Sequence, residues 1–104
     1  PPLTTWSGAS SSANMHNLEG IKHYQMGHWD VAKGHFEEAI QEEPNVAEPH
    51  YNLALALHQL GAHEEATVHF KKAAELAPDD RAITQSRVYL HHVAPRRSSG
   101  GGYY

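Results

Sequence analysis

A chain of 104 residues, 39% of them hydrophobic, lies below the usual single-domain size and can bury one modest core. Its net charge of −4 argues against a nucleic-acid surface, and it contains neither an apolar run long enough to cross a membrane nor a signal-peptide pattern. The absence of cysteine removes disulfides and thiolate metal sites and leaves the compartment open, cytoplasmic and periplasmic alike. A chain that begins at Pro1 rather than methionine is expected to be a processed protein or an excised fragment.

Residues 1–12, PPLTTWSGASSS, are rich in Pro, Ser and Thr and are expected to form an irregular leader. A first pair of helices is predicted at Asn14–Met26 and Trp29–Glu42, joined around Gly27. A second pair follows at Ala47–Leu60 and His63–Leu76, joined around Gly61, with Pro49 in the first turn of its helix, where a missing N–H costs nothing. Asp79 and Asp80 offer a cap for a fifth helix, Arg81–Val93, which Pro95 ends. Residues 94–104 read as a flexible tail, with Gly100-Gly101-Gly102 as linker and two terminal tyrosines.

The two pairs are copies of one unit. Ala32-x3-Phe36 recurs 34 residues later as Ala66-x3-Phe70, and Gly27, Ala39 and Pro44 return in the same register as Gly61, Ala73 and Pro78. A helical repeat of this length buries its apolar face only by stacking on a neighbour. The pattern resembles the tetratricopeptide repeat family. Its second copy reads His50-x2-Leu53-Ala54-x2-Leu57…Ala66-x3-Phe70…Pro78, and the first reads His16-x2-Glu19-Gly20-x2-His23…Ala32-x3-Phe36…Pro44. His16 and His50 replace the family's tryptophan, and Glu19 and His23 replace apolar positions. The resemblance implies an all-α solenoid of two antiparallel helical hairpins in a right-handed superhelix. Residues 13–46 and 47–80 would be the repeats and residues 81–93 a capping helix, with Val88 and His92 in register with Ala54 and His58.

The same resemblance implies a function. Such arrays bind a partner polypeptide along a concave groove lined mainly by the first helix of each repeat. The corresponding residues are Asn17, Ile21 and Tyr24 in repeat one, and Tyr51, Asn52, Leu55, His58 and Gln59 in repeat two. The capping helix adds Gln85, Ser86, Tyr89 and His92, with Arg81, Gln85 and Arg87 as its polar face. Asn52 stands where the family commonly hydrogen-bonds a peptide backbone. Ile21, Leu55 and Tyr89 would form a partly exposed apolar strip, unless they pack into neighbouring helices. Family members that clamp a C-terminal carboxylate place Lys and Arg where this chain has Asn17, Ile21, Ala82 and Ser86, so the expected ligand is a neutral or apolar segment. The expected partner is therefore a protein or peptide, with no nucleic acid, no membrane insertion and no cofactor.

Ten histidines raise a second reading, a metal-binding or pH-responsive module. No two of them are three or four residues apart, the spacing that puts two ligands on one helix face. His63-Glu64-Glu65-Ala66-Thr67 misses the H-E-x-x-H motif at Thr67. The remaining weak candidate is His58 with His92, across adjacent helices. Protonating all ten would carry the formal charge from −4 to +6. No nucleophile or phosphate-binding motif supports an enzyme, and Glu37, Glu38, Glu42 and Glu43 read as a solvated face. Two repeats are few for a stable array, so a symmetric homodimer and a marginal monomer are both open, with Trp6 available to cover the first helix.

Overall fold

The computed structural model describes residues 1–93, which hold six helices and no strand. They are α1 (Ser11–Gln25), α2 (Trp29–Glu42), α3 (Ala47–Gln59), α4 (His63–Leu76), α5 (Arg81–Thr84) and α6 (Arg87–Val93). The tail, including Arg96, Arg97, the glycine run and the terminal tyrosines, lies outside the described residues. Helices α1 and α2 pack as one hairpin, α3 and α4 as a second, and α2 lies against α3 between them. Both α5 and α6 lie on α4.

The two hairpin turns are built alike because the chain places glycine at the same step. Gly27 and Gly61 have φ of +81° and +84°, a left-handed conformation that costs glycine nothing. In the first turn the N–H of His28 donates to His23 O (2.9 Å) and that of Gly27 to Tyr24 O (3.0 Å). In the second, Ala62 donates to Leu57 O (2.9 Å) and Gly61 to His58 O (3.1 Å). Each pair satisfies carbonyls that the helix end leaves open and reverses the chain.

Small residues at the crossings let the hairpins close. Ala32, Ala39, Ala66 and Ala73 are fully buried beside Phe36 and Phe70. A Cβ on Gly20 would lie 2.5 Å from the Phe36 ring, so α1 and α2 meet there more closely than an alanine allows. Phe70 meets Tyr51 edge-on at 5.6 Å and Tyr89 at 6.2 Å, which joins repeat two to the capping segment. Helix α3 is buried from Ala47 to Leu57, because it packs on both α2 and α4 and is covered by the leader.

Two boundaries differ from the sequence reading by more than one residue. Helix α1 starts at Ser11 rather than Asn14, because the Ser10 hydroxyl accepts the Ala13 N–H (3.0 Å) and caps it there. The expected single helix Arg81–Val93 is two. Asp80 caps α5 by accepting the Ala82 N–H (2.9 Å), the chain breaks at Gln85, and Ser86 opens α6 by accepting the Tyr89 N–H (3.0 Å). A serine that can cap competes with continuation of the helix, and here the cap wins. Among the described residues no helix is long and apolar enough to cross a membrane.

Candidate functional site

The leader does not hang free. Residues 1–7, which have no helix or strand, lie along α3 and run opposite to it, with Leu3 at Asn52 and Ser7 at Glu48. The Leu3 N–H donates to Asn52 Oδ1 at 2.7 Å, and Asn52 Nδ2 donates back to Leu3 O at 3.0 Å. The second Nδ2 hydrogen goes to Asn17 Oδ1 at 2.9 Å, so Asn17 fixes the orientation of the Asn52 amide. Both asparagines are 0% exposed. Glu48, also buried, accepts the Ser7 hydroxyl at 2.8 Å and its N–H at 3.4 Å. Glu43 accepts the N–H groups of Ala9 and Ser10. A side chain at Gly8 would collide with Glu43 and Val46, so the leader backbone presses against the α2–α3 connection.

Beyond Leu3 the groove opens into a cavity of about 570 Å³ between Pro1, Pro2, Leu3, Tyr51 and the α5–α6 segment. Leu3 packs against the core. Gln85 and Ser86 line this cavity as part of the predicted surface, and Arg81 and Arg87 stand at its wall. The groove therefore has cationic side chains that the carboxylate-clamp positions did not reveal.

The predicted groove residues divide into two sets. Asn17, Asn52, Tyr51, Gln85 and Ser86 come together around the leader. Gln59 Nε2 lies 3.4 Å from the Tyr24 hydroxyl at the other end of α3, away from it. Ile21 (5% exposed) and Leu55 (2%) belong to the core, so the apolar strip is packed inward rather than partly open, and Tyr89 is half-buried against Phe70. The leader, Glu43 and Glu48 were not singled out as parts of the groove. Their bonds link positions 33 to 49 residues apart through backbone groups, which leave no periodic mark in the sequence.

His58 and His92 do meet, with Nδ1 and Nε2 3.3 Å apart, and His63 joins them. Burial, together with the imidazoles of His92, His63 and His91, lowers the His58 pKa below its ordinary value. About two turns earlier in α3, His50 Nε2 donates to Pro44 O (2.9 Å), and its Nδ1 faces His69 Nδ1 at 3.1 Å. Burial lowers the pKa of both, and burial raises that of Tyr51.

The tetratricopeptide repeat family model matches residues 17–81, more than half of the chain. Among curated proteins the chain is similar to Superkiller complex protein 3 of Mus musculus, 33% identical over 101 residues that cover 88% of this chain. It spans 6% of the length of that relative. The repeated glycine turns, the buried Ala–Phe crossings and these matches agree, and the chain belongs to the tetratricopeptide repeat family.

Proposed function

We propose that this chain is a non-catalytic protein-interaction module that holds an extended peptide segment along α3, and that its own leader shows how such a segment lies. The observation that carries this reading is the pair of hydrogen bonds between the Asn52 amide and the backbone of Leu3. They grip main-chain N–H and C=O and would hold any extended residue at that point, while side-chain selection falls to the neighbouring cavity. A second asset is Asn17 Nδ2, which is buried with no hydrogen-bond partner among the described residues. A buried donor without an acceptor costs about 1–3 kcal/mol, so a ligand that supplied a carbonyl there would gain where the leader does not.

The reading is tested with a chain shortened to begin at Gly8, which keeps the Ser10 cap, and a synthetic peptide of residues 1–7. Calorimetry is expected to show one peptide bound per chain, and the Asn52→Ala variant is expected to bind at least tenfold more weakly, about the loss of two net hydrogen bonds. Helical circular dichroism of both proteins serves as the folding control. Equal binding by the variant, or none by a folded shortened chain, would remove the groove assignment. A Leu55→Lys change is unsuitable as a probe, because Leu55 is core and a buried unpaired charge unfolds the array.

A further inference from the structure

Three imidazoles from three different helices converge at the end of the second hairpin. His58 is in the last turn of α3, His63 opens α4 and His92 lies near the end of α6. Their ligand atoms all lie within 4.8 Å of one another. His92 Nε2 is 3.3 Å from His58 Nδ1 and 3.4 Å from His63 Nδ1. The other nitrogen of His92, Nδ1, lies 3.0 Å from Val88 O. A carbonyl only accepts, so Nδ1 carries the hydrogen and Nε2 presents its lone pair to the other two rings. A ring fixed in this way by a backbone carbonyl is the usual support of a metal-bound histidine.

We propose that His58, His63 and His92 form a binding site for a divalent transition ion of the zinc class. Two nitrogen ligands at about 2.0–2.1 Å from a tetrahedral ion stand roughly 3.3–3.4 Å apart, which is the spacing of His92 from each of the other two rings and is long for a hydrogen bond. Neutral imidazoles without thiolates suit zinc, copper or nickel. Three protein ligands leave a fourth position, and a cavity of about 330 Å³ lined by His63, Glu64, Thr67, His91 and His92 opens beside it. Repeat one marks the contrast. At the positions 34 residues before His58 and His63 it has Tyr24 and Trp29, packed edge-on at 4.9 Å, the same centroid distance as His58 to His63. Repeat one thus fills this corner with aromatic packing, and repeat two fills it with nitrogen donors. Bound metal would fasten α6 to the second hairpin, and α6 supplies Val88 to the cavity that holds Pro1 to Leu3.

Two other clusters, His16–His35–Glu38 and Glu19–His23–His35, compete for the same reading. They share His35, mix imidazole with exposed carboxylate, and His16 and His35 already pair with Glu38 at 3.2 and 3.6 Å.

The test is calorimetric titration of the full chain with Zn²⁺ at neutral pH, beside His63→Ala, His92→Ala and His35→Ala. His63 is exposed, so its replacement leaves the fold intact, and circular dichroism checks each variant. Wild type and His35→Ala are expected to bind one equivalent, and His63→Ala and His92→Ala to bind at least about tenfold more weakly. The melting temperature is expected to rise with Zn²⁺ in wild type and to stay constant in His63→Ala. Absence of stoichiometric binding, unchanged affinity in His63→Ala, or loss confined to His35→Ala would each overturn the proposal.

Discussion

His50 and His69 show how two polar side chains can sit under the second hairpin without a charge. The bond from His50 Nε2–H to Pro44 O leaves Nδ1 bare, and His69 Nδ1–H can donate into it. This arrangement needs His50 neutral, because a protonated Nδ1 cannot accept; a charged His69 would keep its donor but would bear the cost of burial. Burial pushes both pKa values below the ordinary 6.5. Lys72 and His69 add to the effect on His50, and Pro44 O opposes it; Glu65 opposes it on His69. On acidification the unfolded chain takes up these protons first. The pair's contribution is therefore complete above about pH 6.5 and is lost as pH falls through that value toward the lower folded ones. Urea unfolding at pH 7.5, 6.5 and 5.5 is expected to give a midpoint that declines with pH, and His69→Gln is expected to flatten the decline. A midpoint independent of pH would show that neither ring stays neutral for structural reasons. The histidine content suggested acid sensitivity in general; which two rings share a partly buried bond depended on residues 19 apart, on two helices, meeting in space.

At the scale of elements, α1 crosses α2 at close range at Gly20. Ala54 occupies the matching step of repeat two, so a methyl group is tolerated there and not in repeat one. Gly20→Ala would gain about 1 kcal/mol of helix propensity, yet it drives a methyl group into the fully buried Phe36 ring, and overpacking of that kind costs about 1–3 kcal/mol. The expected net is a loss of about 1 kcal/mol, read as a lower urea midpoint with an unchanged slope; a rise would mean that the crossing simply widens. The hairpins themselves were legible because each is specified locally, by a glycine turn, a proline stop and alanines at fixed steps. The capping segment was less so. Ser86 looks like any helix-surface serine until its hydroxyl is seen to take the Tyr89 N–H, and a cap inside an otherwise helical stretch gives no break in periodicity.

For the molecule as a whole, the first hairpin keeps Met15, Leu18, Met26 and Val31 exposed, an uncovered apolar set at one end of a short array. Self-association through that end would give a dimer in sedimentation at micromolar concentration, a melting temperature that rises with concentration, and a monomer for Leu18→Glu. A single monomeric species with a constant melting temperature would exclude it. Trp6, which the sequence offered as a cover for α1, is half-buried in a leader whose hydrogen bonds run to α3 and the α2–α3 connection. No local pattern could place that segment, since its partners are backbone groups matched to side chains far along the chain. The same separation sets an order of events on the ribosome. Leu3 is made 49 residues ahead of Asn52, a delay of about 2–10 s at about 5–20 residues per second. Its seat is also incomplete until α5 and α6 have been made. The segment that lies along α3 is thus made before its seat exists and placed only afterwards, and during that interval its leucine and tryptophan are open to whatever chaperone or nascent neighbour reaches them first.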